Sequence, residues 1–247
     1  FSKVGEGLIK NKKLGIKNAV AVIGGSMGGM QALCYAIEHP TFAKHYIPMA
    51  TTAYTRPWAI ALNKIAIEAI RHDPNFQNGN YEKDDLKARG LVGLAVGRMA
   101  GLIAYLSPNL FINKFGRDYV ETDGLYELFG RFEIEKYLEH NSYSFPKFFD
   151  PLSYLYICKT INIFDAGRNK DKLEDSFLKI EGKLHLIAFK DDMLFFPNEM
   201  EEIRDIMIKI GKKEQVTFKL VDSSSGHDSF LVEVEKFEEH IKDILKD

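Results

Sequence analysis

The chain has 247 residues, 45% of them hydrophobic and 28% charged, and its 33 Lys plus Arg against 35 Asp plus Glu leave a formal net charge of −2. That balance lacks the basic excess of a nucleic-acid or anionic-membrane binder, so neither partner is expected. The two cysteines, Cys34 and Cys158, build no disulfide framework and suit a reducing, cytoplasmic setting. No apolar run reaches spanning length. The first residue is Phe1 rather than Met, so a trimmed or incompletely represented chain is expected, with no signal peptide in view.

In chain order, Phe1 to Lys13 is short and basic, with Val4, Leu8 and Ile9 at helical spacing. Ala19 to Ile23 is a continuous apolar run closed by Gly24 and Gly25, the pattern of a parallel strand buried on both faces. A helix is predicted over Met27 to Glu38, stopping before Pro40, and a second strand over His45 to Ala50. From about Pro57 to Lys170 the period becomes helical. Leu62, Ile65, Ala66 and Ala69 form one stripe, and Leu91, Leu94, Ala95, Met99 and Leu102 another. Strands return at Lys183 to Phe189 and Val216 to Val221, with a helix marked by Ile203, Ile206, Met207 and Ile210 between them. Phe230, Val234, Phe237, Ile241 and Ile244 mark one last helix. Strands alternating with helices define an α/β sheet. It falls in two pieces, 1–52 and 178–247; the helical block 53–177 reads as an insertion covering one end of it, favoured over a separate helical domain by the lack of a linker at either junction.

The first strand runs into Gly24-Gly25-Ser26-Met27-Gly28, a G-x-S-x-G pattern placed between strand and helix. That is the setting of a nucleophile elbow, a sharp turn that pushes a serine hydroxyl out at the carboxyl edge of the sheet. Gly24 and Gly28 are expected to leave the room such a turn needs. The Met27 amide would be one donor to a developing oxyanion. No Gly-Lys-Ser/Thr follows, and the dinucleotide G-x-G-x-x-G pattern fails at Ser26, so a phosphate cradle is not expected.

A serine nucleophile needs a base, and the base needs an orienting carboxylate. His39, His45, His72, His140 and His185 sit in no motif and read as surface or packing residues; His240, among Glu238, Glu239 and Lys242, reads as solvated. His227 follows a strand in Ser223-Ser224-Ser225-Gly226-His227-Asp228, where α/β sites form. Asp191 and Asp192 follow the preceding strand. Ser26, then either aspartate, then His227 is the chain order of the α/β-hydrolase fold; residue logic does not choose between the aspartates. Arg98 lies on an apolar helix face with Leu94, Leu102 and Tyr105, and a cation there calls for an anionic partner.

The run from Val22 to Gln31 resembles the elbow of the homoserine O-acetyltransferases. So do Ala95-Val96-Gly97-Arg98 with Tyr105-Leu106-Ser107, the Phe115-Gly116-Arg117 step, Asp192-Met193-Leu194-Phe195-Phe196-Pro197 and Gly226-His227-Asp228-Ser229-Phe230-Leu231. The resemblance implies an α/β-hydrolase fold with a helical lid insertion, and it selects Asp192 as the triad acid. It implies ping-pong transfer of acetyl from acetyl-CoA to Ser26 and then to the hydroxyl of L-homoserine, in methionine biosynthesis, with no metal or organic cofactor. It places the homoserine carboxylate on Arg98, with Tyr105 beside it, and the ammonium on Asp228. It also implies a homodimer through the lid. The family's upstream strands, and the loop giving a second oxyanion donor, have no counterpart here; they are expected to be missing from this chain, leaving the elbow strand at a sheet edge. The family's lid stretch survives in part, as Lys147-Phe148-Phe149-Asp150-Pro151-Leu152-Ser153-Tyr154-Leu155. The alternatives are a succinyl donor or a serine acceptor, an esterase of the same fold, and a non-catalytic fragment.

Overall fold

The computed structural model describes residues 16–82, 90–121 and 126–246. The basic helical pattern at Phe1 to Lys13 lies outside the described residues. The chain forms two compact units, 1–55 with 164–247, and 56–163.

The first unit is a parallel sheet. Strand β1 (Ala19–Gly25) leads through Ser26 into helix α1 (Met27–Glu38), which returns to β2 (Ala43–Met49). After the helical unit come the short α7 (Leu173–Phe177), β3 (Lys183–Phe189), α8 (Pro197–Lys209) and β4 (Val216–Val221). Strand order is β1-β2-β3-β4, with Gly24 opposite Pro48 and Leu186 opposite Phe218. Alternate residues serve two cores. Tyr46, Leu184, Leu186 and Ala188 pack with Leu33 and Ala36 of α1 and with Met200, Ile203 and Met207 of α8. Ile47, Met49, Ile187, Phe189 and Val221 pack with Phe237 and Ile244 on the opposite face. Burial on both faces explains why β2 and β3 read as near-continuous apolar runs. On that second face His45 and His185 are buried with Nδ1 of one 3.1 Å from Nε2 of the other, and His185 Nδ1 stands 2.8 Å from the Thr217 hydroxyl. The pair is a hydrogen-bonded cross-strand link, more than the simple packing their sequence settings suggest.

Five expectations are corrected. β1 is not buried on both faces, with Val20 64% and Ile23 45% exposed; among the described residues it lies at the edge of the sheet, the position expected for the elbow strand. The helical insertion ends at 163, not 177, because Phe177 and Leu173 pack into the core of the sheet. The last helix is not continuous. It breaks into α9 (Ser229–Val232), a 3₁₀ turn at Val234–Lys236 and α10 (Glu238–Lys246), and His240 on α10 is partly buried rather than solvated. Ile65, read as part of a core stripe, is 52% exposed, and the buried face of its helix is Ala59, Ala66 and Ile70.

The second unit holds α2 (Pro57–Arg71), α3 (Val92–Tyr105), α4 (Pro108–Phe115), α5 (Glu133–Tyr143) and α6 (Pro151–Asn162). α2 and α3 cross at glycines: a Cβ on Gly93 would lie 2.1 Å from the Ala69 carbonyl oxygen, and one on Gly97 2.9 Å from the Ala66 Cβ. Buried Asp73 accepts from the amides of Asn75 at 2.8 Å and Gly93 at 2.7 Å, tying the end of α2 to the start of α3. Ile70, Phe76, Leu91, Leu94 and Phe145 form the core of this unit. Among the described residues no single helix is long and apolar enough to cross a membrane.

Candidate active site

The turn between β1 and α1 puts Ser26 at φ 56°, ψ −121°, a backbone region that costs strain in any residue with a Cβ. Its neighbours hold it there. The Ser26 amide donates to the Met49 carbonyl at 2.9 Å, and the Thr51 hydroxyl donates to the Ser26 carbonyl at 2.9 Å. A Cβ on Gly24 would strike the Gly28 carbonyl oxygen at 2.2 Å, so only glycine fits there. Gly28 differs from expectation, since an added Cβ meets nothing within 4 Å. The crowding at the turn is instead at Gly25, where a Cβ would stand 2.3 Å from the Phe230 ring, and at Gly29, where it would stand 2.7 Å from Thr51. Met27 opens α1, so its amide is one of the first-turn donors that a helix does not bond internally.

β4 ends at Val221 and the chain reaches His227 in a 3₁₀ turn, Gly226–Asp228. His227 is 3% exposed. Its Nε2 lies 2.8 Å from Ser26 Oγ, and its Nδ1 lies 2.9 Å from Asp192 Oδ2. With a carboxylate at Nδ1, the neutral imidazole carries its proton there and Nε2 accepts from the serine hydroxyl. The rings of Phe195 and Phe230 stand edge-on to the imidazole at 5.5 and 5.7 Å between centroids.

The carboxylate on His227 is that of Asp192, which is 2% exposed. Its other oxygen accepts from the amides of Leu194 at 2.9 Å and Phe195 at 3.0 Å, so the side chain is fixed from both ends. Asp191 serves the turn itself, at φ 63°, a left-handed conformation that Asp tolerates better than most residues. The structure therefore brings Ser26, His227 and Asp192 into one hydrogen-bonded chain. Asp228 directly follows the imidazole, and its side chain does not cap α9.

Arg98 and Tyr105 belong to the other unit, on α3. The Arg98 guanidinium lies 5.0 Å from the Phe145 ring centroid and 5.6 Å from that of Tyr105. No carboxylate of the described residues pairs with it. Tyr154 completes this cluster: its hydroxyl donates to the Gly97 carbonyl at 3.4 Å. Burial, with Tyr105 and Cys158 beside it, pushes the Tyr154 phenol well up, while Arg98 acts in the opposite direction. Phe145 carried no sequence signal of its own, being one aromatic among many.

A strained serine between strand and helix, hydrogen-bonded to a histidine and through it to an aspartate on later strand ends, defines the α/β-hydrolases, and the chain belongs to the α/β-hydrolase fold family, which it matches over residues 11–234. It is 55% identical to the homoserine O-acetyltransferase of Nautilia profundicola over 94% of this chain and 63% of that relative. The chain thus spans under two thirds of that relative's length. Among solved structures, homoserine O-acetyltransferase from Bacillus anthracis superposes with a TM-score of 0.89 at 23% identity, over 100% of this chain and 64% of that one. Esterase E22 superposes with a TM-score of 0.87 at 26% identity, over 99% and 65%.

Proposed function

We propose that this chain carries the catalytic triad of a homoserine O-acetyltransferase, working in the cytoplasm and in methionine biosynthesis. The observation that carries acyl transfer is the chain of hydrogen bonds from Ser26 through His227 to Asp192. The choice of acyl donor and acceptor rests on the similarity to the Nautilia enzyme.

In the first half-reaction Ser26 Oγ attacks the thioester carbonyl of acetyl-CoA while His227 Nε2 takes its proton. The Met27 amide donates to the oxygen that becomes negative. The C–S bond breaks, CoA leaves with the proton from His227, and Ser26 holds the acetyl group as an ester. In the second half-reaction the side-chain hydroxyl of L-homoserine attacks that ester, His227 takes the hydroxyl proton, and Ser26 leaves as it recovers the proton. Asp192 holds the imidazole in the right tautomer and stabilises its cation in both directions. Arg98 and Tyr105 bind the homoserine carboxylate and Asp228 its ammonium. Nucleophile, base and oxyanion donor all come from protein, so the chemistry asks for no metal or organic cofactor beyond acetyl-CoA as co-substrate. A second copy of the chain covers part of the helical unit, whose exposed Ile112, Phe148 and Tyr156 favour burial.

The second reading is an esterase, supported by the likeness to esterase E22. Water then replaces homoserine. The test is release of CoA thiol from acetyl-CoA and from succinyl-CoA, each with and without L-homoserine or L-serine. The transferase reading expects a burst of at most one equivalent of CoA from acetyl-CoA alone and continued release that depends on L-homoserine. Release indifferent to the acceptor supports the hydrolase, and no release from a folded sample removes both.

A further inference from the structure

The apolar period through Phe230, Val234 and Phe237 calls for one continuous helix, yet the backbone leaves helical geometry at Glu233, at φ −122°, ψ 43°. An acid on a solvated helix face would point to water. Glu233 is only 8% exposed, and its carboxylate is turned back onto the loop that precedes the histidine. It accepts from the Ser224 amide at 3.1 Å, the Ser224 hydroxyl at 2.6 Å and the Ser225 hydroxyl at 2.8 Å, and it pairs with Lys236 Nζ at 3.1 Å. The same loop is tied on its other side, where the Ser223 hydroxyl donates to the Lys190 carbonyl at 2.9 Å. Lys190 stands two residues before Asp192. The segment 222–225 has no helix or strand of its own, so these side-chain bonds, rather than a backbone ladder, define its shape.

From this arrangement we propose that Glu233 is a positioning residue for the acyl transfer: by gathering Ser224 and Ser225 it holds His227 at bonding distance from Ser26 and Asp192 at once. The inference rests on the catalytic reading of Ser26, His227 and Asp192. The imidazole must keep both bonds as it shuttles a proton, and displacements of about 1 Å in such a group cost on the order of 100-fold in rate.

The experiment compares the parent protein with Glu233→Gln, Glu233→Ala and Ser225→Ala. Three quantities are read: the pH profile of Ser26 acylation by p-nitrophenyl acetate, the downfield proton resonance of His227 Nδ1 against Asp192, and the circular-dichroism melt. Glu233→Ala is expected to slow acylation by about 100-fold, to broaden or lose the downfield resonance, and to keep the folded baseline at the assay temperature. Glu233→Gln keeps an acceptor for the serines and is expected to restore most of the rate and the resonance. Ser225→Ala, which removes one bond, is expected to fall between parent and Glu233→Ala, and it decides the matter if Glu233→Ala does not fold. The proposal is overturned if Glu233→Ala keeps the parent's rate and resonance, or if Gln rescues no better than Ala. It is also overturned if Ser225→Ala is indistinguishable from the parent when Glu233→Ala does not fold. The resonance needs no substrate. A parent that shows it while failing to turn over acetyl-CoA would sink the proposed function and leave the positioning role standing.

Discussion

The ring of Phe230 fills the space that a Cβ on Gly25 would need, with its Cδ2 only 2.3 Å from that position, and the same ring stands edge-on to His227 at 5.7 Å. The residue before the nucleophile and the residue three after the histidine are therefore packed as one unit. Elbow and base cannot move independently.

Gly25→Ala should force that ring aside, at about 1–3 kcal/mol, a usual cost of overpacking, and should drag His227 out of line. A lower melting midpoint together with slower acylation of Ser26 is the expected result. Gly28→Ala makes the contrast. An added Cβ there meets nothing within 4 Å, and alanine is favoured over glycine inside a helix by about 0.5–1 kcal/mol. The melt of Gly28→Ala should equal or exceed the parent's. A large loss there would mean that the turn is tighter than its geometry indicates.

The two neighbouring aspartates should separate cleanly. Asp192→Asn would present an amide to His227 Nδ1 and favour the wrong tautomer, so kcat should fall by about 10⁴-fold. Asp191→Asn should stay within a few-fold of the parent, because Asn also accepts the left-handed backbone found there. Steady-state assays of the two variants check this, and similar losses in both would point to a purely structural role for the loop.

Arg98→Ala should raise the KM for L-homoserine by about 10- to 100-fold, the worth of a charge-assisted hydrogen bond of about 1.5–3 kcal/mol. Acylation of Ser26 by acetyl-CoA should hardly change. Arg98→Lys should recover only part of the affinity, since an ammonium lacks the fork that matches a carboxylate. Equal losses in the two half-reactions would show that Arg98 holds the fold of its unit instead.

Glu233 also leaves a mark on the pH dependence of stability. Burial alone would raise its carboxyl, but the bonds from Ser224 and Ser225, with Lys236, outweigh that and bring it from 4.5 down to about 2. A depressed value means the stabilisation is complete above the unfolded-state value and is lost as the pH falls through about 2. Denaturant melts of the parent and of Glu233→Gln should therefore differ by a constant amount above about pH 5, and the gap should close on acidification. A gap independent of pH over that range would contradict the account.

Much of this fold lay in local patterns. β3 and β4 run over Lys183–Phe189 and Val216–Val221, as predicted; in β3 burial on both faces writes itself into consecutive apolar residues, whereas β4 is only partly buried and shows itself through its β-branched and aromatic residues between turns. The elbow was legible because strand, glycines and helix must be adjacent in the chain. The choice between Asp191 and Asp192 was not in the local pattern. It depends on which side chain faces a histidine 35 residues away, and the family resemblance favoured the one that geometry now places there. The break at Glu233 was invisible for the same reason. The helical period of its neighbours is local, whereas the serines that draw the acid inward precede it by eight and nine residues and act through a fold that period cannot encode. Leu173–Phe177 lies beyond the helical period, which ends at about Lys170, and fell in the helical block only by preceding the next strand; its apolar side chains pack in the core of the sheet.

The most direct test of the account is to trap the intermediate. The protein is incubated with acetyl-CoA and no acceptor, quenched in acid, digested and examined by mass spectrometry, and a parallel sample is chased with L-homoserine before quenching. One acetyl group on the peptide carrying Ser26, discharged by L-homoserine far faster than by water with O-acetyl-L-homoserine as the product, is the predicted result. No acetyl group on Ser26, or discharge at the same rate with and without L-homoserine, would contradict it.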